Sequence, residues 1–532
     1  MQFYGFESGD PVFPCGGWNL SFQVITLENV YGLTADRARL ETSADGWVIS
    51  CDGLAWAGQQ EQAEGRFEAR ITRDGARGLR IAMSASAPSP IRAVKLLLRD
   101  LPRLNVLDML DQPRAVPYDG LLEKYPNQLR LPLWLVQPED QPLFGIRCEE
   151  AKARPKRFAA YEERMGGLAG RFALECIHEE DARHFSRAIS VPDWILAGDA
   201  HPDDFRAGQL AFAEANLGLQ AWERRADVPA WARDVRLSLI LHGMHWSGYV
   251  FNSYDSMREI VRYVAARMDG QPVLAHLPGW EGRYYWQYGD YGPDARLGGE
   301  DGFGRLCDEA RASNVHLMPM FGATCANAWA SNFHEFGPSS VMQSPTGNRF
   351  HGNQPDWDIS RAQDTGWQAW LNIGAPAWRR ELSRQITELL DRYALDAVFL
   401  DCVEVWINDP EHNLLEGYRA LVDGLRGGRP ELLVTGEDWF DALLGIFPIF
   451  QSSAYARPVP DWVARYARLY GHLADSEPGR GSTGVFEWGY RPYAPQPERP
   501  PFIQTLAFTD GTLERARAEI DAVIARAIGQ RA

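Results

Sequence analysis

The stretch that decides the fold is DAVFLDCVEVW, Asp396 to Trp406. Its apolar run, Ala397 to Leu400, ends in Asp401, and a second acid, Glu404, follows three positions later. A short run of this kind is typical of a parallel strand that is buried on both faces. In a barrel of parallel strands the carboxyl ends face the mouth, where the loops build the active site. The stretch therefore predicts a barrel strand that presents Asp401 to the mouth.

Outward from this stretch, apolar runs alternate with amphipathic segments across the second half of the chain. The runs predicted as strands are VRLSLILHG, PVLAHLPGW, VHLMPMFG, AVFLD, ELLVTGEDW, Ile449–Ser452, Gly484–Glu487 and Phe502–Phe508. The segments predicted as helices include SMREIVRYVAARMDG, with a capping box of Ser256 and Glu259, and PAWRRELSRQITELLDRYAL. Strands that are each followed by a helix predict a (β/α)8 TIM barrel over residues 226–532.

The first half has a different periodicity. In GRFEARITRDGARGLRIAMSA, the residues Phe67, Ala69 and Ile71 alternate with polar neighbours, and Asp74-Gly75 supplies a tight turn. This pattern predicts an N-terminal antiparallel β-sandwich over residues 1–225. The proline-containing segment RADVPAWARD is predicted to be the linker to the barrel.

Composition excludes several classes of function. A formal net charge of −17 argues against nucleic acid or an anionic membrane as partner. The N-terminus shows no secretory leader, and no long apolar stretch predicts a membrane span. The seven cysteines are scattered without a C-x-x-C pair, which favours reduced thiols and a cytoplasmic protein. The many tryptophans and tyrosines slightly favour a carbohydrate partner, although core packing explains most of them.

Two predicted strands, neighbours in the barrel, end in acids: Asp401 on the fourth and Glu437 on the fifth. Adjacent strands lie about 4.8 Å apart, so both carboxylates can flank one bond of a substrate. Glycoside hydrolysis needs such a pair, and a separation of about 5 to 5.5 Å gives a retaining double displacement. Asp401 is then the predicted nucleophile and Glu437 the acid/base. Alternatively, Asp401 binds a sugar hydroxyl or pairs with a neighbouring lysine or arginine, or Asp438 faces the mouth instead of Glu437.

An aspartate at the end of strand four, a glutamate at the end of strand five and a β-rich domain before the barrel resemble the retaining α-glycosidases of the endo-α-N-acetylgalactosaminidase type. The stretch HNLLEGYRALVDGLRGGRPELLVTGEDWFDALLG also resembles uncharacterised relatives of that barrel. The resemblance covers roughly residues 230 to 510, and it implies an α-glycosidase acting on an oligosaccharide or glycoconjugate. After the last predicted barrel helix, no C-terminal β-domain of the kind that many such enzymes carry is predicted, so recognition of a long polymer is not expected.

Further residues are candidates for substrate binding because they follow predicted strands or lie in aromatic loops. For each, packing or a solvated loop position is the alternative. The candidates are His242, His245, Trp280, Tyr285, Asp290, Trp370, Asn372, Glu404, Trp406, Asp438, Trp439 and Glu487. Of these, Glu487 ends the predicted seventh strand, where many β-glycosidases keep their nucleophile, and it is the main rival for a catalytic role.

Three functions therefore remain open: a retaining α-glycosidase, a β-glycosidase or transglycosylase that uses Glu487, and a non-catalytic carbohydrate-binding barrel. The pair of strand-end acids speaks against the third. His242 and His245 lack the spacing of barrel metal sites, and no cysteine cluster is expected at the strand ends. Neither a metal nor another cofactor is predicted.

Overall fold

The computed structural model describes residues 9–75, 77–164, 166–245, 248–283, 285–349, 368–452, 459–471 and 497–529. The chain divides into two compact units. The first comprises the residues up to Gly218 together with Asn408–Pro410 and Phe440–Ala442. The second comprises Leu219–Ile407, Glu411–Trp439 and Leu443–Ala532.

The first unit is an antiparallel β domain whose described strands form one connected sheet of 15 strands. The strands are β1 (Phe13–Cys15), β2 (Trp18–Thr26), β3 (Val30–Leu33), β4 (Ala38–Thr42), β5 (Gly46–Trp56), β6 (Glu61–Arg73), β7 (Gly78–Leu101), β8 (Leu104–Leu107), β9 (Pro113–Ala115), β10 (Leu121–Tyr125), β11 (Leu133–Pro138), β12 (Phe144–Cys148), β13 (Lys156–Glu162), β14 (Phe172–Glu179) and β15 (Ser186–Ala197). A helix that the sequence analysis did not predict, α1 (Pro202–Asn216), follows them.

Strand β7 organises this sheet because it is 24 residues long. Its first part pairs with β6 and β15, and its second part pairs with β2 and β14. The predicted alternation in β6 is confirmed, since Phe67, Ala69 and Ile71 are all buried in the shared hydrophobic core. The predicted turn at Asp74 is also present, and the Asp74 N–H donates to the Gly78 carbonyl.

The second unit is a closed barrel of eight parallel strands, which confirms the barrel. In order around the barrel the strands are β16 (Leu237–Leu241), β17 (Val273–Leu277), β18 (Val315–Gly322), β21 (Ala397–Asp401), β22 (Leu433–Glu437), β23 (Ile449–Ser452), β24 (Arg468–Gly471) and β25 (Phe502–Phe508). Outside it, β19 (Cys325–Asn327) pairs with β20 (Gln368–Trp370). Nearly every residue of the first five barrel strands is buried, as packing on both faces requires.

The remaining described helices are α2 (Ala230–Arg233), α3 (Tyr254–Ala265), α4 (Gly299–Ala312), α5 (Phe333–Phe336), α6 (Pro376–Tyr393), α7 (Leu414–Arg426), α8 (Asp441–Leu444), α9 (Thr512–Arg515) and α10 (Arg517–Gly529). Helix α6 begins at Pro376, as predicted. Among the described residues, none of the helices has both the length and the apolar character needed to cross a membrane.

Two predicted features are wrong. The seventh strand of the closed barrel is Arg468–Gly471, whereas the segment predicted for that place, Gly484–Glu487, lies outside the described residues. Helix α3 is capped by Ser253, whose side chain accepts the Ser256 N–H, so the predicted capping box lies one turn too late. The segment predicted as the linker, residues 225–234, belongs to the second unit. Within it, Val228 is buried in the barrel core and the Arg225 guanidinium pairs with Asp227.

Candidate active site

Asp401 and Glu437 are the last residues of β21 and β22, which are neighbouring barrel strands. Parallel pairing in register places the two ends at the same edge of the barrel. The two carboxyl groups are hydrogen-bonded to each other. The structure therefore brings together the two acids that the sequence analysis paired, at the carboxyl ends of the strands.

The electrostatics of the pair follow from burial. Burial raises the pKa of Asp401, while hydrogen bonds from Glu437, Tyr288 and Cys402 oppose that rise. Burial raises the pKa of Glu437 well above its usual range, and the negative charges of Asp401 and Glu404 raise it further. Two carboxyl groups in contact share one proton, because the repulsion between two adjacent negative charges opposes the ionisation of both. We place that proton on Glu437, so that Asp401 is the ionised partner.

Tyr288 is the third member of the site, and the sequence analysis did not single it out. Its hydroxyl donates to Asp401 Oδ2 at 2.8 Å. It lies in the aromatic loop after β17, in the stretch from which Tyr285 and Trp280 were chosen instead. The prediction that the aromatic loop contributes to the site was thus correct, but the sequence did not indicate which of its rings contacts Asp401.

The backbone distinguishes Glu437 from its neighbour Asp438. The Cys402 N–H donates to Glu437 Oε2 at 3.0 Å. Asp438 has a left-handed backbone, with φ of 50°, and its carboxylate accepts the N–H of Trp439. The acid that contacts Asp401 is therefore Glu437. Glu404 is half-buried and close enough to Glu437 to raise the pKa of that carboxyl.

The histidines and the aromatic loop are largely engaged in packing. His242 and His245 are buried, and both rings contact the ring of Phe251. Trp280 is fully buried and donates its indole N–H to the Met320 carbonyl, which places it in the core. Tyr285 is half-buried against Tyr288. Burial of this kind favours the packing alternative for Trp280.

The other candidates occupy varied positions. Asp290 is exposed to solvent. The Asn372 amide is fully buried and bonded to backbone, since it donates to the His412 carbonyl and accepts the Gly374 N–H. Trp439 is buried against Trp462. Two further tryptophans, Trp370 and Trp406, are half-buried, and Glu487 lies outside the described residues.

A third buried carboxyl, Glu281, was also missed. It is 1% exposed, and neither of its oxygens has a hydrogen-bond partner among the described residues. Burial raises its pKa well above the usual range, and the charges of Asp401 and Asp294 add to that rise. Tyr470 of β24 is likewise buried near the acids, and burial, Glu437 and Asp401 raise its pKa. No periodicity in the sequence pointed to either residue.

The expectation that no cysteine cluster meets at the strand ends is wrong. A ligand atom from each of Cys325, Asp401 and Cys402 lies within 4.8 Å of the other two. The cysteines are far apart in the sequence, but the strands that precede them, β18 and β21, are neighbours in the barrel. Their contact depends on strand order, which spacing along the chain does not reveal.

No family model matches the chain, and no curated protein matches it either. Several solved structures do match. Ligand-free α-N-acetylgalactosaminidase NagBb from Bifidobacterium bifidum is 14% identical over 99% of this chain and 93% of that chain, with a TM-score of 0.66. Its complex with GalNAc is 14% identical over 86% of this chain and 76% of that chain, with a TM-score of 0.61. The GH36 α-galactosidase AgaA from Geobacillus stearothermophilus is 11% identical over 96% and 75%, respectively, with a TM-score of 0.54. At these identities the likeness is one of fold.

Proposed function

We propose that the protein is a retaining α-glycosidase in which Asp401 is the nucleophile and Glu437 the acid/base. The observation that carries the proposal is the buried, hydrogen-bonded pair of carboxyls at the ends of β21 and β22. One member is held protonated and the other is stabilised as an anion, which is the division of roles that double displacement requires. The fold shared with solved α-glycosidases supports the same class.

In the first step, an Asp401 oxygen attacks the anomeric carbon while the glycosidic bond breaks. Glu437 gives its proton to the departing oxygen, and the sugar becomes covalently attached to Asp401. In the second step, the Glu437 carboxylate takes a proton from water, and the resulting hydroxide attacks the anomeric carbon and releases Asp401. In retaining enzymes the two carboxyl groups are about 5 to 5.5 Å apart. Asp401 and Glu437 are closer than this because they are hydrogen-bonded to each other. A substrate oxygen that enters between the two acids would replace this hydrogen bond.

Tyr288 has a positioning role in this scheme. Its hydroxyl donates to Asp401 Oδ2 and so fixes the orientation of that carboxylate. The Cys402 N–H orients Glu437 in the same way. The names of the solved relatives suggest an α-linked galactose or N-acetylgalactosamine as the sugar that is transferred, and we propose this class of substrate.

The test compares Asp401→Asn and Glu437→Gln on nitrophenyl α-glycosides and on disaccharides with the same sugar. We expect Asp401→Asn to lose turnover on both substrates by about a thousandfold or more, because the attacking oxygen is gone. Glu437→Gln should keep much of its first-step rate on the nitrophenyl substrate and lose about 10² to 10⁴-fold on the disaccharide, whose leaving group needs a proton.

Proton NMR of the first product gives the stereochemistry, and the α-anomer is expected. Asp423→Asn, a substitution of an exposed acid on α7, is the matched control and should behave as the parent does on both substrates. A β-anomer from an α-glycoside, or hydrolysis of β-glycosides alone, would contradict the proposal. Equal losses on both substrate types for Glu437→Gln would reduce that residue to a binding acid.

A further inference from the structure

Beside the acid pair, two thiols and a carboxylate oxygen converge. The ligand atoms of Cys325, Cys402 and Asp401 lie within 4.8 Å of one another, and the two thiols are hydrogen-bonded to each other. Cys325 is fully buried, and Cys402 is half-buried. In the described part of the chain, no other group of three histidine, cysteine, aspartate or glutamate side chains brings its ligand atoms within 4.8 Å of one another.

The fold fixes this convergence through backbone contacts. Gly322 at the end of β18 pairs with Asp401 at the end of β21. Beyond that point the two loops stay joined, because the Ala323 N–H donates to the Asp401 carbonyl at 3.2 Å and the Thr324 hydroxyl donates to the Cys402 carbonyl at 3.1 Å. The two cysteines are therefore held by ordered backbone rather than by free loops.

The donor set favours a particular class of ion. Thiolates bind soft or borderline cations such as zinc, whereas magnesium and calcium take oxygen ligands. Zinc lies about 2.3 Å from sulfur and about 2.0 to 2.2 Å from a carboxylate oxygen, with tetrahedral geometry. Ligand atoms that already lie within 4.8 Å of one another need only small movements to reach those positions. Three protein ligands leave the fourth position for water.

In the described part of the chain, a buried group within electrostatic reach of the cluster also lacks a hydrogen-bond partner. The hydroxyl of Tyr418, on α7, is buried and has no hydrogen-bond partner among the described residues. Cys402, Cys325 and Asp401 are among the groups whose charges raise the pKa of this phenol, after burial and Glu404. An unsatisfied buried hydroxyl destabilises the folded protein. A water bound to a metal at the cluster would supply the missing partner if it reaches this hydroxyl.

We propose that Cys325, Cys402 and Asp401 form a binding site for a thiophilic divalent cation, with zinc as the expected occupant. Binding removes one proton from each thiol and releases both to solvent. It also occupies the carboxylate of Asp401, so the cation inhibits glycoside hydrolysis and is not required for it. The inhibition rests on the proposed function, whereas the binding site itself does not.

The test titrates the reduced, full-length protein with Co²⁺, which reports thiolate ligation through charge-transfer absorption in the near ultraviolet. We expect one equivalent of Co²⁺ to give this band and Zn²⁺ to displace it. Cys325→Ser and Cys402→Ser should each weaken binding at least about tenfold, since each removes a ligand. Cys307→Ser, at a buried cysteine on α4, is the matched control and should keep the parent spectrum. Because Cys402 has φ of 58°, Cys402→Gly replaces Cys402→Ser if the latter fails to fold.

Two results would overturn the site: a parent spectrum without a thiolate band, or a band that persists unchanged in both ligand variants. Inhibition is then measured on a substrate that the parent hydrolyses. Zinc should inhibit the parent, and Cys325→Ser should require at least about ten times more zinc. Cobalt bound through thiolates in a protein without glycosidase activity would refute the proposed function and leave the site standing. An active enzyme without thiolate-bound cobalt would refute the site alone.

Discussion

At the scale of single residues, the state of Asp401 is decided by a balance between burial and hydrogen bonding. The carboxylate is 4% exposed, and removing a charge from water is costly. Donors from Tyr288, Glu437 and Cys402 compensate for that cost by stabilising the anion. The ionisation of Asp401, the proposed nucleophile, therefore depends on its neighbours, and the removal of one donor should be visible in the pH dependence of catalysis.

Tyr288→Phe removes one of these donors without changing the shape of the ring. A hydrogen bond to a charged group contributes about 1.5 to 3 kcal/mol, so kcat/KM should fall by roughly 10- to 100-fold. In the proposed mechanism, activity requires ionised Asp401 and is lost as the pH falls through the pKa of that carboxyl. The variant raises that pKa, so the acid limb of the kcat/KM profile should move to higher pH.

The matched control is Tyr263→Phe, which removes a hydroxyl that donates to Asp521 at 2.8 Å, between α3 and α10. Its profile should superimpose on that of the parent. A loss of activity in Tyr288→Phe with an unmoved acid limb would show that Tyr288 does not act through Asp401.

At the scale of elements, the apolar runs predicted the barrel strands well, because a strand buried on both faces needs an uninterrupted apolar run. Val315–Gly322, Ala397–Asp401 and Phe502–Phe508 have the predicted bounds. The prediction missed the seventh strand because Arg468–Gly471 has only four residues and begins with a charged side chain. The prediction missed helix α1 because the helix follows a long β-rich stretch and because its apolar residues show only a weak helical periodicity.

Helix α3 begins after Ser253, which is its N-cap residue. Ser253 accepts the Ser256 N–H at 3.2 Å, so Ser253→Ala leaves a helix-terminal donor unsatisfied and should destabilise the protein by about 1 kcal/mol. Ser256→Ala, inside the first turn, should cost less than about 0.5 kcal/mol. Urea unfolding of both variants provides the comparison. Equal losses, or a larger loss for Ser256→Ala, would restore the capping box that the sequence predicted.

At the scale of the whole molecule, folding stability should depend on pH through buried acids. Asp441 belongs to the first unit, where the Tyr125 hydroxyl donates to it at 2.6 Å. Burial raises the pKa of Asp441 to about 7. The folded protein thus holds a proton that the unfolded chain releases near pH 4, so stability falls as the pH rises from about 4 to about 7.

Asp441→Asn keeps an acceptor for Tyr125 and removes the ionisation. Its stability advantage over the parent should therefore grow by about 2 to 3 kcal/mol between pH 5 and pH 8, measured by urea unfolding with tryptophan fluorescence. Asp423→Asn, at an exposed acid, should show no such growth. A stability difference between Asp441→Asn and the parent that does not change with pH would contradict the raised pKa.

The site as a whole was only partly predictable. Asp401 and Glu437 were predictable because strand ends in a barrel point to one mouth, whatever the loops do. Tyr288, Glu281 and the Cys325–Cys402 pair were not, since each depends on loop conformation or on contacts between distant segments. Patterns along the chain record burial and periodicity, whereas these contacts arise only when the barrel closes.

The central claim is that a sugar becomes covalently attached to Asp401, and one measurement addresses it directly. Glu437→Gln is mixed with a nitrophenyl α-glycoside that the parent hydrolyses, and the protein is quenched and mapped by peptide mass spectrometry. The first step remains fast on this leaving group, while the second step lacks its general base, so the intermediate should accumulate. We predict one added sugar on the peptide that contains Asp401. A sugar on another peptide, such as one containing Glu487, or nitrophenol release without any sugar-bearing peptide, would contradict the claim.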